Sequence, residues 1–241
     1  MSLPLITPLG DEALRIVLGD TLDPAINQRV CALAERINTA ALAGVTDVLP
    51  AFASVGVYYR APAVQRAVGE TPFAALSRQL QPLLPDTALA AQAAPRTVDI
   101  PVCYGGEHGP DLAEAAAACG LTVEELLSLH QQPQEAQQVY MIGFAPGHPY
   151  IGQLDARIAL PRRATPRTLV PAGSVAIANR QTVIYSLAAP GGWSLIGRTP
   201  LALFDGGRID PCLLRPGDRV RFVPIDATAF AAWPAAGTEA A

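Results

Sequence analysis

Four arginines stand close together in a chain that is acidic overall: "PRRATPRTLVPAG" supplies Arg162, Arg163 and Arg167, and "GGWSLIGRTPL" adds Arg198. A guanidinium is a planar fork of donors that matches a carboxylate or a phosphate. Taken together the four point to a small anionic ligand, although any one of them could equally be a surface ion pair to an aspartate. Between them, "SVAIANRQTVIY" places Ser174, Asn179, Gln181, Thr182 and Tyr185 around two β-runs. Their hydroxyls and amides can hold a small polar substrate, or can solvate a strand face. Trp193 follows two glycines, where a sharp bend can present the indole to a pocket or to the core.

Three further residues carry ionisable chemistry. His130 ends "TVEELLSLH", where it either complements a helix C-terminus or transfers a proton. Glu107, in "YGGEHGPDL", is either a general base or a plain loop carboxylate. His148 sits in "GFAPGHPYIGQL" among glycines and prolines that shape a tight loop, and its ring either packs or titrates at a pocket mouth. No nucleophile elbow, Walker loop, H-E-x-x-H or dinucleotide fingerprint is present, so covalent serine or cysteine catalysis has no support. The four cysteines, Cys31, Cys103, Cys119 and Cys212, are widely spaced and form no C-x-x-C pair. They read as buried thiols and not as metal ligands.

The elements that must position these residues follow from periodicity. "EALRIVLG" reads as a strand. "DPAINQRVCALAERINTAALAG" then puts Ile26, Val30, Leu33, Ile37 and Ala41 on one helical stripe, with Asp23 as N-cap, Pro24 in the first turn and Gly44 past the end. "VTDVLP" and "FASVGVYYR" form a hairpin, Thr71-Pro72 opens a second helix, and "TVDIPVCY" returns as a strand that could belong to either side of a boundary. The order is β-α-β-β-α-β, a split βαβ pattern. "LPDTALAAQAAPR" reads as a linker, with the boundary near residue 90. Two short helices follow, one ending at Cys119-Gly120 and one opened by the capping box Thr122-x-x-Glu125. From about residue 137 the β-runs "QVYMIGF", "IALP", "SVAIA", "QTVIYSL", "WSLIGRT", "LALF" and "DRVRFVPI" predict a closed or nearly closed antiparallel barrel.

Composition bounds the partners. Half of the 241 residues are hydrophobic and 16% are charged, enough for buried cores in two modest domains. A formal charge of −4 gives no general attraction to nucleic acid or an anionic membrane surface. No basic leader followed by an apolar run and no membrane-length apolar stretch is seen, so a cytoplasmic protein is expected.

The strings "IPVCYGGEHGPDL", "GFAPGHPYIGQLD", "PRRATPRTLVPAGSVAIANRQTVIY" and "GGWSLIGRTPLALFD" together resemble the KipI family, whose members are also described as the B subunit of 5-oxoprolinase (PxpB-like) or as allophanate hydrolase subunit 1. The resemblance extends from "PLGDEALRIVLGD" to "LLRPGDRVRFVPI". It implies an α+β ferredoxin-like domain over residues 1–90 and a mostly β, cyclophilin-like barrel over 91–241. The chain departs from the family pattern at His108, His148 and Gln153, where Phe, Phe and Gly are usual.

The resemblance also implies a reaction: ATP-dependent opening of 5-oxoproline to L-glutamate. The chain would work with a larger C subunit (KipA-like) and with an A subunit (LamB/YcsF-like), and would be inactive alone, with ATP used by the complex at a site not located in this chain. On that reading Glu107, His130 and Arg198 take catalytic roles. Arg162, Arg163, Arg167, Gln181, Thr182, Tyr185 and Trp193 bind substrate, with His148 and Ser174 as further candidates and no metal. The same resemblance carries two other expectations: inhibition of a sensor histidine kinase, and allophanate or urea carboxyl chemistry.

Overall fold

Asp23 and Pro24 start the longest helix as their residue types require. The Asp23 carboxylate accepts the Ile26 N–H at 3.0 Å, and Pro24 occupies a first-turn position whose N–H would have had no partner. This helix, α1 (Pro24–Ala40), buries Val30, Leu33 and Ile37 as the stripe predicts. It also buries Asn27, whose amide donates to the Phe52 carbonyl at 2.8 Å. Its end differs from expectation: Ala41 takes the left-handed conformation (φ 45°) and Gly44 turns the chain onward at φ 89°. A Cβ at Gly44 would come within 2.7 Å of the Val64 nitrogen, so the glycine is needed there for space as well.

The structure is a computed structural model that describes residues 4–84, 95–131 and 137–234. The chain divides into two units, Met1–Ala94 and Pro95–Ala241. In the first, β1 (Leu5–Pro8), β2 (Ala13–Val17), β3 (Val45–Ala51) and β4 (Ser54–Tyr59) form an antiparallel sheet in the order β1-β2-β4-β3. Alternation sends Leu14, Ile16, Val55 and Val57 to one face, where they share a core with α1 and with Leu76 and Leu80 of α2 (Pro72–Leu80). Thr71 caps α2 by accepting the Ala74 N–H at 3.2 Å. The last strand of the expected β-α-β-β-α-β series is not in this sheet. Its edge beside β2 is taken by β1, which precedes that series and lies outside the expected elements. Most of the expected linker falls outside the described residues.

"TVDIPVCY" is β5 (Thr97–Tyr104), a barrel strand of the second unit. Two short helices follow, α3 (Leu112–Ala118) and α4 (Val123–Gln131), the latter opened by the reciprocal Thr122 and Glu125 hydrogen bonds of a capping box. The remaining barrel strands are β6 (Gln138–Ile142), β7 (Pro149–Gly152), β9 (Ser174–Ala178), β10 (Gln181–Ile184), β12 (Ser194–Arg198) and β13 (Arg219–Ile225). The order β6-β13-β5-β12-β9-β10-β7 closes through pairing of β6 with β7. One pair breaks the antiparallel expectation: β13 runs parallel to β5 from Arg219↔Thr97 to Ile225↔Cys103. All seven strands contribute to the barrel core, including Ile100, Val139, Ile151, Ile177, Ile184, Ile196 and Phe222, and Leu112 of α3 and Leu126 of α4 join it.

Two of the expected β-runs do not become strands. "IALP" begins in a 3-10 turn over Ala156–Ile158, and "LALF" contributes only an isolated bridge from Phe204 to Cys212. Conversely, the glycine- and proline-rich stretch around His148, expected as a tight loop, contains β7. A separate two-stranded ribbon, β8 (Arg167–Val170) with β11 (Ala189–Gly191), is a further departure from the expected elements. The four cysteines are free thiols; Cys103 is buried and the other three are half-buried. Among the described residues no helix is long and apolar enough to cross a membrane.

Candidate binding site on the barrel

Strand alternation divides the polar β-runs between two environments. Val175 and Ile177 of β9 and Ile184 of β10 belong to the barrel core, whereas Ala176, Ala178, Val183 and Tyr185 belong to a second cluster with Val170, Trp193 and Leu195. The alanines are small enough for large rings to lie over β9, and Tyr150 packs there too. Gly191 is part of the same arrangement: a Cβ on it would fall 2.0 Å from the Tyr185 hydroxyl oxygen. Burial raises the Tyr185 phenol's pKa, as does neighbouring Tyr150, against the pull of Arg162 and Arg167.

His148 is the polar member of this aromatic group. Its ring lies 5.1 Å from Tyr185 (edge-on, 89°), 5.3 Å from Tyr150 and 5.3 Å from Phe144. The residue is buried, and that burial lowers its pKa to about 4, so the imidazole is neutral at physiological pH. The loop that carries it is closed by the His148 N–H donating to Ala145 O and by Gly143 N–H donating to His148 O. Gly147 (φ 69°) packs so closely that a Cβ would come within 2.8 Å of the Leu203 carbonyl oxygen.

The four arginines do not act as one group. Arg167 donates two hydrogen bonds to the Asp111 carboxylate, at 2.6 and 2.8 Å, and Arg163 donates to Asp111 at 3.2 Å and to Glu114 at 3.2 Å. Asp111 is buried and also accepts the Leu195 N–H at 2.7 Å. Arg163 and Arg167, expected among the residues that hold a ligand's anion, are paired here with carboxylates of this chain, Arg167 through both terminal nitrogens and Arg163 through Nη1. Arg162 differs: its guanidinium carbon lies 5.7 Å over the Trp193 ring, and among the described residues it makes no ion pair.

Arg198 lies in a different neighbourhood. Its Nε donates to the Ala172 carbonyl at 2.8 Å, and its guanidinium carbon lies 6.0 Å from the ring of Phe230 in α5 (Ala227–Ala231). His108 stacks on the same ring, 4.2 Å from Phe230, with Glu107 at 3.7 Å. Glu107 and Arg198 are thus linked through His108 and Phe230. The Glu107 side chain is 86% exposed to solvent. Ser174 is buried at the start of β9, paired in register with Arg198.

His130 is sealed in the barrel core, away from both groups. Its Nδ1 lies 3.0 Å from the Tyr104 hydroxyl, its Nε2 lies 3.1 Å from the Thr182 hydroxyl, and its ring packs 4.5 Å from Phe222. Complete burial lowers its pKa to about 3. A neutral imidazole with both nitrogens engaged and no exposure is a packing element, and the expected proton-transfer role has no access to substrate. Thr182 shares that interior, while Gln181, Val183 and Tyr185 face the other side of the strand. Gln181 and Thr182 therefore cannot orient the same ring.

The structure thus joins Arg162, His148, Tyr185 and Trp193 in one aromatic and cationic site and leaves Arg198 with Glu107 in another. Asp111, Tyr150 and Phe230 carry no strong local signal in the sequence. For Asp111 the only one is an acidic residue after Gly-Pro at a helix start, and there it makes no capping hydrogen bond.

The carboxyltransferase domain family (subdomains C and D) matches residues 4–214 of this chain. The chain is 43% identical over 223 residues to the 5-oxoprolinase B subunit of Bacillus subtilis (strain 168), covering 91% of this chain and 92% of that protein. It is 41% identical over 216 residues to the 5-oxoprolinase B subunit of Escherichia coli O157:H7, covering 90% and 94%. Among solved structures, that of TTHA0988 superposes with a TM-score of 0.75 at 38% identity, covering 89% of this chain. The present chain spans only 40% of that longer chain. By these matches, on top of the motifs that shape the His148 loop and the arginine segment, the chain belongs to the 5-oxoprolinase B-subunit (KipI) family of the carboxyltransferase domain, subdomains C and D.

Proposed function

We propose that this chain is the B subunit of a bacterial, cytoplasmic 5-oxoprolinase and acts with a C subunit (KipA-like) and an A subunit (LamB/YcsF-like) to open 5-oxoproline to L-glutamate at the expense of ATP. The observation that carries this reading is the 43% identity to a 5-oxoprolinase B subunit over nine-tenths of both chains. In fold terms, the N-terminal unit is read as a ferredoxin-like sheet whose last edge is supplied by β1, and the barrel as cyclophilin-like.

A lactam is a poor electrophile, because its nitrogen donates into the carbonyl. Transfer of the ATP γ-phosphoryl group to the lactam oxygen makes the ring carbon open to water. Water adds to that carbon, the C–N bond breaks with the nitrogen taking a proton to become the free amine, and a second water hydrolyses the resulting acyl phosphate to L-glutamate and inorganic phosphate. This chemistry needs cations where negative charge gathers. Arg162 and Arg198 are the two of the four arginines that hold no carboxylate, and they are the ones assigned to the substrate. In this assignment Arg162 takes the substrate carboxylate at the edge of Trp193, and the buried Tyr185 and Trp193 rings form the packed base that supports that edge. ATP enters as a substrate of the assembled complex, and none of the residues described above is assigned to it.

The test is reconstitution. The isolated chain is expected to show no 5-oxoproline-dependent ATP hydrolysis, and activity should appear on mixing with its C and A partners. Turnover by the purified chain alone would contradict the division of labour, and a silent three-component mixture would remove the substrate assignment.

A further inference from the structure

Asp111 opens α3 but caps nothing. Aspartate at that position ordinarily accepts an N–H of the first turn. Here both oxygens are used elsewhere: Oδ1 accepts from Arg167 (2.6 Å) and Arg163 (3.2 Å), and Oδ2 accepts from Arg167 (2.8 Å) and Leu195 N–H (2.7 Å). The residue is 3% exposed, and its carboxylate fills the space between the two guanidinium groups. The carboxylate joins three pieces of chain: the start of α3, the first residues of β12, and the segment 163–167.

That segment has two more ties to the strand leading to Trp193. Arg163 N–H donates to Gly192 O at 2.7 Å, and Arg167 pairs in register with Gly191. Arg162, next to Arg163, is the residue that lies over Trp193. We propose that Asp111 is a positioning residue: by holding Arg163 and Arg167 it fixes the segment that places Arg162 over Trp193, and so sets the affinity of that site for the substrate's carboxylate. The functional half of this inference rests on the 5-oxoprolinase reading above; the positional half does not.

Charge and shape both matter in this arrangement. Asparagine keeps the volume but has one acceptor oxygen and turns an NH2 donor toward an arginine, so it should loosen the segment. Alanine leaves two guanidinium groups and an N–H around a gap that formate can fill. The chain has two tryptophans, so a Trp233→Phe background makes Trp193 the sole indole reporter.

In that background, folded Asp111→Ala and Asp111→Asn should show roughly twofold greater acrylamide quenching of Trp193, because the covering segment is released, and formate should reverse the effect in the alanine variant only. In the reconstituted complex, KM for 5-oxoproline should rise about tenfold with kcat nearly unchanged, since orientation of a binding group and not the chemical step is lost, and formate should lower KM again for alanine. Unchanged quenching in folded Asp111→Asn overturns the proposal, as does a loss confined to kcat. Should the alanine variant fail to fold, the asparagine variant decides alone. If the wild-type complex turns over no 5-oxoproline, the activity reading falls, while quenching and its reversal by formate still decide the placement of Arg162 and Trp193.

Discussion

His148 stands edge-on to Tyr185, with ring centroids 5.1 Å apart at 89°. An imidazole held this way among aromatic rings has a cost in acid. Its pKa when folded is about 4, against about 6.5 in an unfolded chain, so between these values the unfolded state takes up a proton that the folded state refuses. Stability is complete above the unfolded value and falls as pH drops toward the folded one. At pH 5 the loss from this residue is about 2 kcal/mol. His148→Phe should therefore melt closer to its neutral-pH temperature at pH 5 than wild type does, and the reconstituted complex should stay active with a similar pH profile. Loss of activity in this variant would give the imidazole a chemical role.

His130→Ala should destabilise the barrel by about 2–4 kcal/mol in denaturant unfolding, since it leaves a cavity beside Phe222 and strands the Tyr104 and Thr182 hydroxyls. A variant that keeps full stability yet loses all turnover would return His130 to the catalytic group.

Gly191→Ala puts a methyl group 2.0 Å from the Tyr185 oxygen and 2.7 Å from its Cζ. The phenol sits in a packed cluster and cannot move freely, so a loss of about 1–3 kcal/mol is expected. Substrate affinity should fall with it. Calorimetry and titration of the folded fraction check both effects.

Arg198→Ala should lower activity far more than stability. The side chain gives up one hydrogen bond to Ala172 O and a contact with Phe230, together worth about 1 kcal/mol, whereas losing a charge-assisted contact to substrate costs about 1.5–3 kcal/mol of transition-state binding. If the variant melts early and its folded fraction keeps full activity, Arg198 is a structural residue.

Features whose partners lie a few residues apart were legible from the amino-acid order alone. Asp23 and Ile26, Thr71 and Ala74, and Thr122 and Glu125 each meet three residues apart, so their helix starts could be read directly. Alternation likewise marked Val55, Val57 and Tyr59 as the buried side of β4. The ordered motifs were long enough to show the family. Periodicity did not reveal Pro149–Gly152 as a strand, because its proline and glycine read as a turn and only closure against β6 and β10 makes it extended. Which of several chemically equal groups meet was settled by the folded chain. Arg162 and Arg163 are adjacent and identical in type, yet one lies over Trp193 and the other turns to Asp111, 52 residues away. Thr182 and Gln181 are neighbours whose faces are opposite, and the closed barrel put one with His130 and left the other outside. A guanidinium takes whichever carboxylate folding brings within reach, and that pairing is a property of chain topology, which no local spacing encodes.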